Sequence, residues 1–219
     1  QGAPLVPVGD QALFSEYDFC LNLGGIANIS FDLHGQRIAY DICPVNMLLN
    51  EGARQLHIPY DAGGAIARRG RLHEMLLAEL NALPYYSADF PKSLGYEWFQ
   101  ESVMPIIHSG QLSPQDLLHT GVVHIAQRIA ADVLQFYPSQ GQMLVTGGGA
   151  YNDFLIEQLR SNLQGKVTVV VPDSLLVDYK EAVVFAFMGA LRLRGEINCL
   201  KSVTGARADS SAGQLFEPL

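Results

Sequence analysis

Two stretches of this chain place glycines where backbone amides could approach an anion. In Leu21-Asn22-Leu23-Gly24-Gly25-Ile26-Ala27-Asn28-Ile29-Ser30, two glycines separate two extended segments. Without a Cβ at Gly24 and Gly25 the chain can turn tightly and bring its N–H groups close to a ligand, and Asn28 would add a side-chain amide. An ordinary hairpin turn uses the same dipeptide. In Leu144-Val145-Thr146-Gly147-Gly148-Gly149-Ala150-Tyr151-Asn152, an apolar strand runs into three glycines and then a helix. That order gathers several amides and a helix N-terminus at one point, which suits the phosphate or sugar of a nucleotide. A flexible strand-to-helix turn is the alternative, but three consecutive glycines are costly in chain entropy. Neither a GxGxxG fingerprint nor a Gly-Lys-Ser/Thr phosphate loop is present.

Two acidic motifs follow. Tyr40-Asp41-Ile42-Cys43-Pro44-Val45-Asn46 puts a carboxylate at the end of a strand, where open α/β sheets place their sites. It reads equally as a helix start in which Asn46 or Asp41 only satisfies amides. In Asp178-Tyr179-Lys180-Glu181 an acid is followed three residues later by Glu, a variant of the capping box. The residues alone favour that capping role. His119 and His124 lack metal-ligand spacing and read as surface or partly buried residues. Asp10 reads as a solvated loop aspartate. Cys20, Cys43 and Cys199 are too few and too widely spaced for a disulfide framework or a zinc site, and are expected as buried free thiols.

The elements that must hold these residues begin with strands at Tyr17–Leu23, Ile26–Leu33 and Arg37–Cys43, joined by short turns and therefore antiparallel. Helices are expected at Asn46–Leu56, at Ala65–Leu83 with Ile66, Leu72, Leu76, Leu80 and Leu83 on one face, and around Glu97–His108. An irregular aromatic loop fills Pro84–Pro91. Ser113-Pro114-Gln115-Asp116 starts a long helix that runs to about Tyr137. Then come a strand (Gln142–Thr146), a helix (Asn152–Leu163), a strand (Lys166–Val171) and a helix (Asp178–Arg194). Such alternation argues for parallel strands with crossover helices. The fold class is therefore α/β. Its mixed sheet has three antiparallel strands and then parallel βαβ crossovers, the ribonuclease-H-like order, with a mainly helical insertion at 58–112.

With 219 residues, 48% hydrophobic and 16% charged, the chain can bury a substantial core. A formal net charge of −8 gives no footprint for nucleic acid or an anionic membrane surface. No apolar run approaches the roughly 18 residues that span a bilayer. The chain opens on Gln1 rather than Met, so a preceding segment is expected.

Across almost its whole length the sequence resembles the anhydro-N-acetylmuramic acid kinase family, within the actin-like ATPase superfamily. The resemblance rests on GAPLVP at 2–7, LNLGGIANIS at 21–30, DICPVN at 41–46, PKSLGYEWF at 91–99, LSPQDLL at 112–118, TGGGAYN at 146–152, EAVVFAFMGALR at 181–192 and TGA at 204–206. Where the family commonly has DTGPGN, this chain has Asp41-Ile42-Cys43-Pro44-Val45-Asn46 and so lacks two glycines.

The resemblance implies an enzyme that uses ATP and Mg²⁺ to phosphorylate the 6-oxygen of 1,6-anhydro-N-acetylmuramic acid while water opens the anhydro bridge. The product, N-acetylmuramic acid 6-phosphate, belongs to peptidoglycan recycling in the cytoplasm. It implies Gly24, Gly25 and Asn28 in the second phosphate loop and Gly147, Gly148, Gly149 and Asn152 in the adenosine motif. Glu181, with Asp41 and Asn46, falls on the substrate side, and the aromatic loop around Pro91-Lys92-Ser93 is expected along the sugar cleft. Metal ligands stay unassigned. The family's first phosphate loop and catalytic aspartate have no counterpart in these residues and are expected before Gln1. On this reading 1–16 is the remnant of an inter-lobe segment, 17–57 with 113–200 the C-terminal actin-like lobe, 58–112 an insertion and 201–219 a tail of surface strand or coil. Such a lobe is expected to be inactive alone, and an apolar face left by its partner lobe leaves room for a homodimer. Two alternatives stay open: a non-catalytic actin-like nucleotide-binding module, and a kinase for another sugar.

Overall fold

A computed structural model describes residues 5–109, 112–136 and 140–216. Side-chain alternation decides its sheet. After a short helix α1 (Pro7–Leu13), strand β1 (Phe19–Leu23) points Phe19, Leu21 and Leu23 into one core and Cys20 into another. β1 pairs antiparallel with β2 (Ile26–Leu33), and β2 with β3 (Gln36–Pro44). Helix α2 (Asn46–Gln55) then leaves the sheet. A mainly helical segment follows, with α3 (Glu74–Asn81), α4 (Tyr96–Trp98), a π-helical turn Phe99–Val103 and α5 (Met104–Ser109). The long helix α6 (Pro114–Phe136) returns the chain to β4 (Gly141–Thr146), which lies parallel to β1. Helix α7 (Asp153–Leu163) crosses to β5 (Val167–Val170), parallel to β4, and α8 (Ser174–Leu193) and α9 (Lys201–Thr204) complete the order. Among the described residues the sheet order is β3-β2-β1-β4-β5, the ribonuclease-H-like arrangement expected from the sequence.

The two faces of this sheet are unequal. One face buries Phe19, Leu21, Ile29, Phe31, Met143 and Val145 against Leu118, Ile125 and Ile129 of α6 and Leu155 of α7. Each such side chain stabilises the fold by roughly 1.5–3 kcal/mol. The other face packs Cys20 and Leu144 against Val8 and Phe14 on one side and Val184 and Met188 of α8 on the other. The three cysteines are free and buried, as expected.

Several expectations need correction. The helix expected over Ala65–Leu83 is broken. Asp61 takes the N–H groups of Ile66 and Ala67 on its carboxylate, and a 3₁₀ turn at Ala67–Arg69 ends at extended Gly70. Only α3 is regular, with His73 Nδ1 capping it by accepting from Leu76 N–H at 3.1 Å. Gly64, at φ 69°, sits under Asn152 and Phe154 in a turn that no side chain would fit. The helix expected to start at Asp178 starts one turn earlier. Asp173 is its cap, accepting from Leu176 N–H at 2.9 Å, and Asp178 lies within the helix. His124 is fully buried, between Asn81 Oδ1 at 2.8 Å and Tyr86 Oη at 3.1 Å. The tail carries α9 and then an antiparallel bridge from Ser210 to Cys199. The expected end of the long helix near Tyr137 lies outside the described residues.

The aromatic loop before α4 docks on β3. Asp41 N–H donates to Lys92 O at 3.4 Å, Leu94 N–H to Asp41 Oδ2 at 2.8 Å, and Tyr85 Oη–H to Asp41 O at 2.6 Å. Phe90 stacks on Tyr40 with ring centroids 5.7 Å apart, and the Lys92 ammonium lies 5.3 Å from the Tyr40 ring centre and 5.0 Å from that of Tyr85.

Candidate functional site

β1 and β4 run parallel with Asn22 opposite Thr146, so the turns that follow them leave the sheet at the same end. The two glycine segments therefore meet. A Cβ on Gly147 would stand 2.5 Å from Asn22 Oδ1 and 3.0 Å from Leu23 C and O. One on Gly149 would stand 2.7 Å from Leu23 Cβ. Gly147 also has φ 82° and ψ 167°, a conformation essentially confined to glycine. The start of α2 joins the same place. Asn46 Nδ2 donates to Leu23 O at 3.3 Å, the N–H groups of Val45 and Met47 donate to Gly25 O, and that of Asn46 to Gly24 O. Among the described residues, the N–H groups of Gly24, Gly25 and Gly148 have no protein acceptor.

The turn from Gly147 to Tyr151 is a ridge between two cavities. The first, about 360 Å³, is bounded by Asn46 and Asn50 of α2, Tyr60, and Gly148, Tyr151 and Asn152 of the turn. The second, about 410 Å³, lies on the α8 side and is bounded by Asn22, Asn28, Thr146, Gly147, Lys180 and Glu181, with Asp178 at its rim. The ridge is tied across by Tyr151 Oη–H donating to Asp178 Oδ1 at 2.8 Å. That bond pushes the Tyr151 phenol above its usual range.

Each residue proposed from the sequence has a definite place. Asn46, Gly148 and Asn152 line the first cavity, and Asn28, Gly147 and Glu181 the second. Gly149 is buried beneath the ridge, and Gly24 and Gly25 form the hairpin turn beside it. Asn152 is also a cap, its Oδ1 accepting from Leu155 N–H at 3.0 Å, so a 3₁₀ turn and not α7 itself follows the glycines. Asp41 borders neither cavity and is engaged by the aromatic loop; burial pushes its carboxyl up, partly offset by the Leu94 N–H. Cys43 and Val45, which stand where the family pattern has glycine, are fully buried.

Asn22, Thr146, Lys180, Asn50, Tyr60 and Tyr151 are among the lining residues that sequence reasoning passed over. Asn22 carried a legible signal: a polar residue inside an apolar strand, next to its turn. In register it lies between Asn28 and Thr146, a polar row across three strands at the end of the sheet where the two glycine turns leave it. Lys180 carried none. It is only 5% exposed and its ammonium sits 2.6 Å from Asp10 Oδ1. Asp10 is therefore not a solvated loop residue: it is 4% exposed and also accepts from the Ser30 hydroxyl, which accepts from Arg37 Nη2 at 2.9 Å.

A sequence model of the anhydro-N-acetylmuramic acid kinase family matches residues 1–218. The chain belongs to that family. A relative of that name from Variovorax paradoxus (strain S110) is 37% identical over 233 residues, covering 99% of this chain and 61% of its own. The kinase of the same name from Vibrio parahaemolyticus serotype O3:K6 is 37% identical over 228 residues, covering 99% of this chain and 60% of its own. The chain thus spans about 60% of the length of these kinases. Among solved structures, the activator of the 2-hydroxyisocaproyl-CoA dehydratase from Clostridium difficile shares 14% identity, with a TM-score of 0.48, over 87% of this chain and 67% of that one. At that score the likeness adds nothing to the topology already described. No helix among the described residues is long and apolar enough to cross a membrane.

Kinases of this kind are expected to work with Mg²⁺. Among the described residues there is no group of three or more acidic, His or Cys side chains that could hold a metal ion alone. A nucleotide-borne Mg²⁺ needs only one or two protein carboxylates, because phosphate oxygens and water supply the rest. Asp178 and Glu181, beside Asn28 and Gly147, are the carboxylates that fit such an ion.

Proposed function

We propose that this chain supplies the nucleotide cradle and part of the sugar site of an anhydro-N-acetylmuramic acid kinase. The reaction is transfer of the γ-phosphoryl group of ATP to the 6-oxygen of 1,6-anhydro-N-acetylmuramic acid, with water opening the anhydro bridge. Family membership supports the reaction. The meeting of the two glycine turns at one end of β1 and β4 is the observation that carries the assignment of residues.

In this reading the nucleoside occupies the first cavity. Tyr60 and Tyr151 line it, and Asn50, whose side chain makes no hydrogen bond to another described residue, offers a free carboxamide. The phosphates cross the ridge, met by the N–H groups of Gly24, Gly25 and Gly148 and by the Asn28 amide. Donors fixed before the ligand arrives cost no reorganisation during transfer, which is how phosphoryl transfer is accelerated by positioning. Mg²⁺ would neutralise charge on the phosphates, with Asp178 or Glu181 as its protein contact. Glu181, on the exposed side of α8, faces the sugar in the second cavity. None of these residues is assigned as the base that activates water: Asp10 is committed to Lys180 and Ser30. On this reading the 219 residues bind ligands without turning substrate over.

Calorimetric titration of the chain with Mg·ADP and with the anhydrosugar tests this. Saturable binding of both is expected. No binding of either at millimolar concentration overturns the assignment, and ADP production from ATP at the rate of a complete kinase overturns the proposed inactivity.

A further inference from the structure

The α8 residues that turn inward are Val177, Lys180, Val184 and Met188. Three are apolar, and a charge in such a stripe is strongly disfavoured unless it is paired and hydrogen-bonded. Among the described residues Lys180 is paired by Asp10, at 2.6 Å, with the ring centre of Phe14 5.6 Å from its ammonium. Asp10 is held in turn by Ser30, Ser30 by Arg37, and Arg37 Nη1 reaches Asp32 at 3.4 Å. One buried polar chain thus joins α8, α1, β2 and β3. Next to Asp10, Gly9 lies directly on α8, where a Cβ would come within 2.5 Å of Val184.

Both ends of this contact border the second cavity. Leu5 and Val6, immediately before α1, line one side, and Asp178, Glu181 and Phe185 of α8 line another. Successive helical residues are turned by about 100°, so any rotation of α8 that withdraws Lys180 swings Glu181 by the same angle. An apolar pair would fill the space without desolvating two charges.

We propose that Asp10 and Lys180 are a positioning pair for the second cavity, fixing the rotation of α8 and the distance from Glu181 to the segment that enters α1. The geometry stands by itself; the identity of the cavity's ligand rests on the function proposed above.

The test compares the 219-residue chain with Asp10→Asn, Lys180→Met and the double variant. It reads hydrogen exchange across α1 and α8, the thermal midpoint, and affinities for 1,6-anhydro-N-acetylmuramic acid and Mg·ADP. Asp10→Asn is expected to speed exchange in α1 and α8 and not in the central strands. It should weaken the anhydrosugar about tenfold while Mg·ADP stays within about threefold. The double variant, with no buried charge left unpaired, is expected to regain the thermal midpoint but not the sugar affinity. Equal loss of both ligands in step with the midpoint, or unaltered sugar affinity in the folded double variant, overturns the proposal. If the wild-type chain binds neither probe, the functional reading fails and exchange decides alone: opening confined to α1 and α8 supports the pair, and unchanged exchange overturns it.

Discussion

Replacing Gly148 by alanine separates what the ridge does for the fold from what it does for a ligand. Gly148 lacks a positive φ, and a methyl there would meet only Asn46 Nδ2 at 3.7 Å. The fold should tolerate it, and the narrower unfolded ensemble should add about 0.4–1 kcal/mol of stability. The same methyl stands in the wall of the first cavity, over an N–H that we assign to phosphate. Mg·ADP affinity should therefore fall by about tenfold, or about 1.4 kcal/mol. One position earlier the balance reverses. At Gly147 the backbone conformation alone costs an alanine about 1–3 kcal/mol, before its contact with Leu23 is relieved. Gly165→Ala is the control, because its φ of 73° carries a conformational cost but nothing lies within 4 Å of the added methyl. It should lose only about 1–2 kcal/mol and no affinity. Urea denaturation and calorimetry on the three variants give both quantities. Gly148→Ala binding Mg·ADP as tightly as wild type, or Gly147→Ala no less stable than Gly165→Ala, would refute the reasoning.

Burial, with Arg128 nearby, pushes the His124 imidazole down to about 3. The unfolded chain takes a proton below about pH 6.5 that the folded chain refuses, so this residue costs about 1.4 kcal/mol of stability per pH unit as pH falls. By pH 5 the loss should reach about 2 kcal/mol, read as a steeper pH slope of the urea midpoint in wild type than in His124→Gln. Asp173→Ala should cost about 1 kcal/mol through loss of the α8 cap, while Asp178→Ala, exposed within the helix, should stay within about 0.5 kcal/mol; thermal denaturation distinguishes them. Glu157→Gln breaks the 2.6 Å pair with Arg68, but both side chains are about half exposed. Its denaturation midpoint should stay close to that of wild type, because an exposed pair is screened by solvent.

The sheet was legible because its information is local. Phe19, Leu21 and Leu23 alternate, short turns force antiparallel neighbours, and apolar strands spaced by helices force crossovers. The convergence of Gly24-Gly25 with Gly147-Gly148-Gly149 followed from that topology. What escaped was set by contacts between distant residues. Nothing near Lys180 in the chain announces Asp10, 170 positions earlier, so one half of a buried ion pair was read as a loop acid and the other was passed over. The break in the helix expected over Ala65–Leu83 was hidden likewise. Apolar spacing continues through it, while Asp61 captures amides and Gly64 packs against Asn152. Asp173 and Asp178 are both acids near one helix start, and only backbone geometry chooses between them.

The docking of the aromatic loop on β3 has a consequence for solubility. β3 is an outermost strand of the sheet, and a bare outer strand offers unpaired N–H and C=O groups to any passing extended chain. Here Lys92 and Leu94 hold Asp41 on that flank. Shortening the loop would uncover a template for strand-to-strand association, and such a protein should aggregate more readily.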